Sequence, residues 1–295
     1  MRVNPNTMPD LLAALNQSQL QTQQAELEIS SGRSVNVPSD NPTAAALLVE
    51  NNDQATFNAG YLQSVSAVEG QLSTADSTLA SVVTALQRAT TLGIEGANGT
   101  LSDGDRAAIA EELQGIQSQL VSLANTSYEG RYVFAGTNTN TAPYVVDGNS
   151  PSGVSYVGNG GVNDVSIGSG YKIAVNQPGS QLFSAAGGDV FLAINNLIQS
   201  LQSNSGIDTA VTAVGAASSY LSAQRVFYGN AMNQAQSQTN YLSAAKQQIA
   251  QQQNTLGAAD LAIAASTLTQ TQIDTQATLA VISKLSQNNL FDYIK

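Results

Sequence analysis

Apolar residues recur at every seventh position in two long stretches near opposite ends of the chain. The first stretch contains Val65, Leu72, Leu79 and Leu86, and the second runs from Ile207 to Ile263. Apolar residues spaced alternately by three and four positions lie on one face of a long helix. The pattern predicts two long helices that pack along a seam.

Proline positions delimit these helical stretches. Residues 43–142 and 179–295 contain no proline, and proline is the residue that breaks a helix interior. We expect Asn41 to cap a helix that has Pro42 in its first position. Glycines at 93–99 should end that helix, and Ser102–Asp105 should open the next one with a capping box. Helix should resume near Asp189.

The segment 136–188 has a different character. It contains 11 of the 24 glycines and three of the seven prolines. Alternating runs at 154–157, 162–167 and 172–175 predict short strands joined by Gly/Asn turns. We expect a self-contained surface module. The predicted fold is therefore mainly α, a long antiparallel helical rod formed by both chain ends, with an inserted small β-rich domain.

The two chain ends have apolar faces that are diluted by glutamine, serine and threonine. Helices of this kind are marginal in isolation and need a partner. We therefore expect residues 8–29 and 261–285 to pack between subunits, whereas the seven-residue repeats should form an intramolecular core. The predicted assembly and seam residues are Leu11, Leu15, Ile29, Val65, Leu72, Leu79, Leu86, Leu221, Leu242, Ile249, Leu261, Leu268, Leu279, Ile282 and Leu285.

Composition favours assembly and argues against several other classes. Charged residues make up 11% of the chain, below the roughly 25% of ordinary soluble domains. Uncharged polar surface is desolvated against a neighbour at lower cost than charge. The net charge of −11 argues against nucleic-acid binding, which needs basic clusters. No apolar run is long enough to insert into a membrane, and the first residues do not resemble a cleaved signal peptide.

Candidate chemistry is sparse. The chain has no histidine and no cysteine, so the common nucleophile and acid–base constellations are mostly unavailable. Asp103 and Asp105 lie in the first turn of a predicted helix, where carboxylates favour the helix dipole. The glycine-rich run 158–164 occurs once and is interpreted as a β-turn. We predict no catalytic, cofactor or metal site.

Four segments carry a family resemblance. They are Ile29–Pro42, Tyr128–Thr137, a pair of short runs at 156–159 and 175–179, and Asn289–Ile294. In these segments the chain resembles the bacterial flagellin family, and the form of Pro38–Pro42 and of the C-terminus resembles its hook-filament junction members. The resemblance assigns a bend between domains to Ser31, Gly32, Arg33, Pro38 and Pro42.

The resemblance implies a structural protein that joins the flagellar hook to the filament by self-assembly. The implied division is 1–40 with 256–295 as terminal coiled-coil helices, 41–135 with 189–255 as a helical rod domain, and 136–188 as an outer domain. The implied partners are hook-associated protein 1, flagellin, copies of the same chain in a ring, and an export chaperone and export apparatus. The implied location is extracellular.

Three alternatives stay open on the sequence. The nearest is a divergent flagellin that acts as the bulk filament subunit. The second is a secreted enzyme displayed on the flagellum with its activity in 136–188. The third is a cytoplasmic coiled-coil scaffold. The number of copies in a flagellum distinguishes a bulk filament subunit from a junction protein. The location of the protein distinguishes a cytoplasmic scaffold from both.

Overall fold

The computed structural model describes residues 8–291, with side chains described as far as Lys284. Its helices are α1 (Met8–Ser31), α2 (Pro42–Gly96), α3 (Asp103–Ala124), α4 (Gly179–Leu182), α5 (Val190–Ser203), α6 (Ile207–Gly257) and α7 (Leu261–Phe291). Its strands are β1 (Ser127–Tyr128), β2 (Arg131–Tyr132), β3 (Tyr144–Val146), β4 (Val154–Tyr156), β5 (Asp164–Gly168) and β6 (Tyr171–Ala174). The predicted fold class, long helices from both chain ends with a small β-rich insert, is confirmed.

The chain packs as two compact units. The first contains residues up to Phe57 together with Ala245 onward, and the second is Asn58–Ala244. The boundaries differ from those of the predicted three-part division, because 136–188 packs in the same unit as the helices that flank it. The three-part division stays a prediction about roles in an assembly.

The second unit has one hydrophobic core along α2, α3, α5 and α6. Val65, Leu72, Leu79 and Leu86 have no exposed surface, and the facing repeat of α6 is buried from Ile207 to Leu242. Burial of each such side chain contributes roughly 1.5–3 kcal/mol relative to exposure. The seven-residue pattern therefore locates the seam of this unit.

The seven-residue repeat of α6 does not continue to Ile263. Ile249 is buried and Leu256 is half-buried, but α6 ends at Gly257. Ile263 lies on α7 and is 64% exposed. The three residues between the helices reset the helical phase, so the last member of the sequence pattern faces away from the seam.

Two glycines expected to end α2 lie inside it. Helix α2 continues to Gly96, and a Cβ added at Gly93 would come within 2.5 Å of Val211 Cγ2. A Cβ at Gly96 would meet the side chain of Leu201. These glycines permit close approach of α5 and α6 to α2, and this packing outweighs the helix penalty of about 1 kcal/mol per glycine.

The predicted helix caps are present. The Asn41 side chain accepts from Ala44 N at 3.0 Å, and Ser102 and Asp105 form the reciprocal capping box of α3. Asp189 Oδ1 accepts from Leu192 N at 2.8 Å at the start of α5. Side-chain oxygens in these places satisfy amides that have no partner within the helix.

The three β-hairpins pair β1 with β2, β3 with β4, and β5 with β6. They do not form a self-contained module, contrary to our expectation. Tyr144, Val154 and Ile173 belong to the same buried cluster as the helices, and the phenol of buried Tyr228 on α6 accepts from Gln177 N at 3.2 Å. The insert 136–188 shares the helical core because its own two hairpins, β3–β4 and β5–β6, are too short to enclose one.

Candidate assembly surfaces

The first unit is built around a pair of antiparallel helices, α1 and α7, whose shared face is small and polar. Of the described residues of these two helices, those that are buried are Ser18, Ala25, Ala264 and Thr271. The Ser18 hydroxyl donates to the Thr271 carbonyl at 2.9 Å. Small side chains let two helix backbones approach closely, but they remove little apolar surface from water.

Nine of the large apolar side chains of the same two helices are exposed. The exposed ones are Leu12 (48%), Leu20 (67%), Leu27 (58%), Ile29 (38%), Leu261 (53%), Ile263 (64%), Ile273 (55%), Leu279 (49%) and Val281 (45%). We call this set the outer apolar residues. Exposed apolar surface that recurs along two paired helices marks an interaction surface, because its burial would supply the stabilisation that the small inner face lacks.

The predicted terminal residues divide between these two environments. Leu11, Leu15, Leu268 and Ile282 are half-buried, and Ile29, Leu261 and Leu279 are exposed. Leu285 lies outside the residues whose side chains are described, and residues 292–294 of the C-terminal motif lie outside the described residues. The assignment of these positions to assembly stays a prediction.

The two connections between helices in this unit are joined by a short β-bridge. Arg33 pairs with Ala258 in antiparallel fashion, with Ser34 N donating to the Gly257 carbonyl at 2.9 Å and Ala259 N donating to the Gly32 carbonyl at 3.0 Å. Gly32 has φ +68°, a conformation that favours glycine after a helix end. The bridge was not foreseen, because nothing in the local sequence indicates that the two connections meet.

Two of the predicted bend residues have clear local roles. Pro38 lies in a turn in which Asp40 N donates to the Val37 carbonyl at 3.0 Å. The amides of Asn36 and Val37 both donate to Asp40 Oδ2 at 2.9 Å, and these bonds lower the pKa of the Asp40 carboxyl. Pro42 begins α2. The side chain of Arg33 is exposed and available to a neighbouring molecule.

In the second unit, polar contacts fix α2 against α6. Arg225 Nε and Nη2 donate to the two carboxylate oxygens of Asp76 at 2.8 and 2.9 Å, and Thr239 donates to Glu69 at 3.1 Å. The bond to Asp76 raises the pKa of Arg225. Sequence analysis missed this pair, since the two residues are 149 positions apart. The seven-residue series through Arg225 also contains Ser218 and Thr239, so it indicated a polar stripe on α6 but not the partner of Arg225.

The described residues contain no group of three or more acidic side chains placed to hold a metal ion. Asp103 and Asp105, considered as an acid–base pair, bind Arg106 and Ser102 respectively at the start of α3. None of the described helices is both long and apolar enough to cross a membrane.

Comparison with known proteins also identifies helical regions towards both ends of the chain. Residues 4–139 match the bacterial flagellin N-terminal helical region, and residues 206–294 match the bacterial flagellin C-terminal helical region. The chain is 37% identical over 146 residues to flagellar hook-associated protein 3 of Salmonella typhimurium, an alignment that covers 49% of this chain and 46% of that protein. It is 26% identical to flagellin of Listeria innocua, over 90% of this chain and 88% of that protein.

The alignments to the hook-associated relatives are partial. The chain spans less than half the length of hook-associated protein 3 from Salmonella typhimurium and from Escherichia coli. A solved structure of a flagellar hook-associated protein from Vibrio parahaemolyticus superposes with a TM-score of 0.69 at 22% identity, over 74% of this chain and all of that one. At 22% identity this structural likeness is evidence about the fold alone.

Proposed function

The chain belongs to the bacterial flagellin family, and we propose that it forms the junction between the flagellar hook and the filament. The relatives are structural proteins of the flagellum, so the chain is a flagellar structural protein and not an enzyme. The finer junction role is the proposal. Its nearest competitor within the family is the bulk filament subunit.

The observation that carries the proposal is the arrangement of α1 and α7, in which small residues are inside and the outer apolar residues are outside. A lone chain gains little from this arrangement. A chain surrounded by neighbours gains the burial of all nine outer apolar side chains, at roughly 25 cal/mol for each Å² removed from water. Repeated subunit contacts would therefore give these exposed apolar side chains a role.

Sequence identity favours the junction role over the filament role. The identity to hook-associated protein 3 is 37% over 146 residues and 41% over 118 residues in two relatives, and the identity to a flagellin is 26% over a longer alignment of 278 residues. In the proposed assembly, 1–40 and 256–295 act as terminal assembly helices, 41–135 and 189–255 as a rod domain, and 136–188 as the outer part. The proposed neighbours are hook-associated protein 1, flagellin and further copies of the chain in a ring.

The proposed location is outside the cell, reached through the flagellar export apparatus with an export chaperone as partner before assembly. Electron microscopy of a deletion strain tests the junction role directly. We expect intact hooks without filaments, and filaments restored when the chain is supplied again. Filaments on the hooks of the deletion strain would contradict the proposal.

Copy number distinguishes the junction protein from a filament subunit. Quantification of purified flagella should show this chain as a trace component beside a dominant flagellin. If it is the dominant protein, the chain is the filament subunit. If it is absent from flagella and retained in the cytoplasm, it is a scaffold of the third class considered above.

A further inference from the structure

Four hydroxyl side chains meet between α1 and α7 and form a polar layer, which we define as Ser18, Thr22, Thr271 and Thr275. Ser18 Oγ lies 2.9 Å from Thr275 Oγ1, and Thr22 Oγ1 lies 3.0 Å from Thr271 Oγ1. Ser18 and Thr271 are 7% and 3% exposed. Thr22 and Thr275 are half-buried, so the layer is a hydroxyl network with two buried and two partly exposed members.

The threonines of the layer have partners within their own helices, whereas the Ser18 hydroxyl does not. Thr22, Thr271 and Thr275 each contact a carbonyl three or four residues earlier. The Ser18 hydroxyl contacts only Thr271 O and Thr275 Oγ1, both on α7. Ser18 therefore depends on the partner helix for its hydrogen bonds, and a buried hydroxyl without a partner is unfavourable.

The layer distinguishes between registers that a purely apolar seam would accept. If α7 slips by one heptad in one direction, Leu268 and Ala264 take the places of Thr275 and Thr271, and both hydroxyl pairs are lost. A slip in the other direction places Ile282 opposite Ser18 and Thr278 opposite Thr22, so the hydroxyl pair of Ser18 is lost while Thr22 still faces a threonine. In either case a leucine or isoleucine must also fit where the structure has a threonine, so shape and polarity both oppose the slip.

We propose that the polar layer sets the antiparallel register along α1 and α7, adding to the Arg33–Ala258 bridge at one end of the pair, with Ser18 as the principal register-determining residue of the helices. Single buried polar residues fix register in other helix pairs at some cost in stability. Here a correct register fixes the positions of the outer apolar residues of one helix relative to those of the other, and thus the surfaces offered to neighbouring subunits. The inference rests on the proposed function, because the surface matters only in an assembly.

Introduced cysteines can report the register, because the chain contains no cysteine. One helical turn beyond Thr22 and Thr271, the observed register brings Ala25 opposite Leu268. The in-register reporter is therefore Ala25→Cys with Leu268→Cys. The slipped reporter is Ala25→Cys with Leu261→Cys, which is offset by one heptad. Each is produced in the full chain, flagella are isolated and oxidised, and the intramolecular disulfide is measured by its mobility on a non-reducing gel.

With the layer intact, we expect the in-register disulfide to exceed the slipped one by about tenfold or more, because the slipped register leaves the Ser18 hydroxyl without its hydroxyl partner and tenfold corresponds to only about 1.4 kcal/mol. In the variant Ser18→Ala, Thr22→Val, Thr271→Val, Thr275→Val, the ratio should fall below about threefold because a purely apolar seam no longer specifies register. A role in stability alone would lower both disulfides together and leave the ratio unchanged, and that result would overturn the inference.

Single substitutions keep the test decisive if the fourfold variant is not assembled. Ser18→Ala should lower the ratio, whereas Ser30→Ala, at an exposed position on the same helix, should not. Equal ratios in these two variants, or no disulfide from either reporter in flagella that contain the chain, contradict the register role. Absence of the chain with the intact layer from flagella contradicts the proposed function instead.

Discussion

Arg225 and Asp76 form a partly buried charged pair in the second unit. Their side chains are 35% and 24% exposed, whereas Arg88 and Glu112 form an exposed pair with 55% and 47%. Two parallel hydrogen bonds to a partly buried carboxylate are stronger than one bond at the surface. The pair holds two helices that are far apart in sequence.

Asp76→Asn should therefore lower the free energy of unfolding by about 1.5–3 kcal/mol, the contribution of hydrogen bonds to charged groups. Glu112→Gln is the matched control, and its effect should stay below about 1 kcal/mol, as for exposed ion pairs. Urea denaturation of the purified chain measures both. Equal losses from the two substitutions would show that burial does not separate these pairs.

Two buried phenols give the stability of the protein a dependence on alkaline pH. Burial raises the pKa of Tyr144 and Tyr228 well above their ordinary value of 10.0. Below pH 10 both the folded and unfolded states keep the phenolic protons, so these two groups do not make the free energy of unfolding depend on pH. Above pH 10 the unfolded chain loses protons first, which favours unfolding.

The free energy of unfolding should thus fall above pH 10 by up to about 1.4 kcal/mol per pH unit for each buried tyrosine. Denaturation curves recorded between pH 8 and 11.5 measure the slope. Tyr228→Phe should reduce the slope above pH 10, together with a small loss of stability at neutral pH, because the Gln177 amide loses its acceptor. An unchanged slope in that variant would show that ionisation of Tyr228 does not contribute to the loss of stability above pH 10.

Helices α2 and α6 owe their stability to the buried repeat rather than to their exposed residues. Leu79→Asp removes a fully buried leucine and places a charge in the core, and loss of the packed side chain alone costs about 2–5 kcal/mol. Gln87→Asp, at an exposed position of the same helix, is the control. Thermal unfolding should show a large decrease in Tm for the first variant only.

Helices α1 and α7 should behave in the opposite way. Leu20 is 67% exposed, so Leu20→Asp should leave the circular dichroism and Tm of the purified chain unchanged. In the assembly the same charge would be desolvated without a partner, which is costly, so the variant should be lost from isolated flagella. Gln21→Asp should be retained. Retention of Leu20→Asp would show that this position is not covered by a neighbour.

The insert contributes to the core of the whole second unit, and its removal should therefore be costly. Replacing residues 139–177 with a short Gly/Ser linker uncovers Phe183, Phe191 and Tyr228, which are each at most 1% exposed. We expect a clear decrease in Tm, measured calorimetrically. Val146→Ser, at an 80% exposed hairpin position, should leave Tm unchanged. A linker variant with the parent Tm would restore the view of the insert as a separate module.

Local signals in the sequence were sufficient for the helices and their caps. The repeat through Val65, Leu79 and Leu221 reports a continuous apolar face, and the side chains of Asn41, Ser102 and Asp189 satisfy backbone amides a few residues away. These interactions act within one or two helical turns, so the order of residues determines them. The family resemblance likewise depended on short segments such as Ile29–Pro42.

Only the tertiary structure decided what covers each face. Periodicity identified the apolar side of α1 and α7, but the helices pair through Ser18 and Thr271 and leave Leu20 and Ile273 exposed. In the sequence Gly93 resembles a helix end, but in the structure it lies inside α2 and makes room for Val211. The connections at Arg33 and Ala258 form a bridge although more than 200 residues separate them in the chain. Such contacts depend on which surfaces meet after folding. The residues of a helix face do not by themselves determine which other element will cover that face.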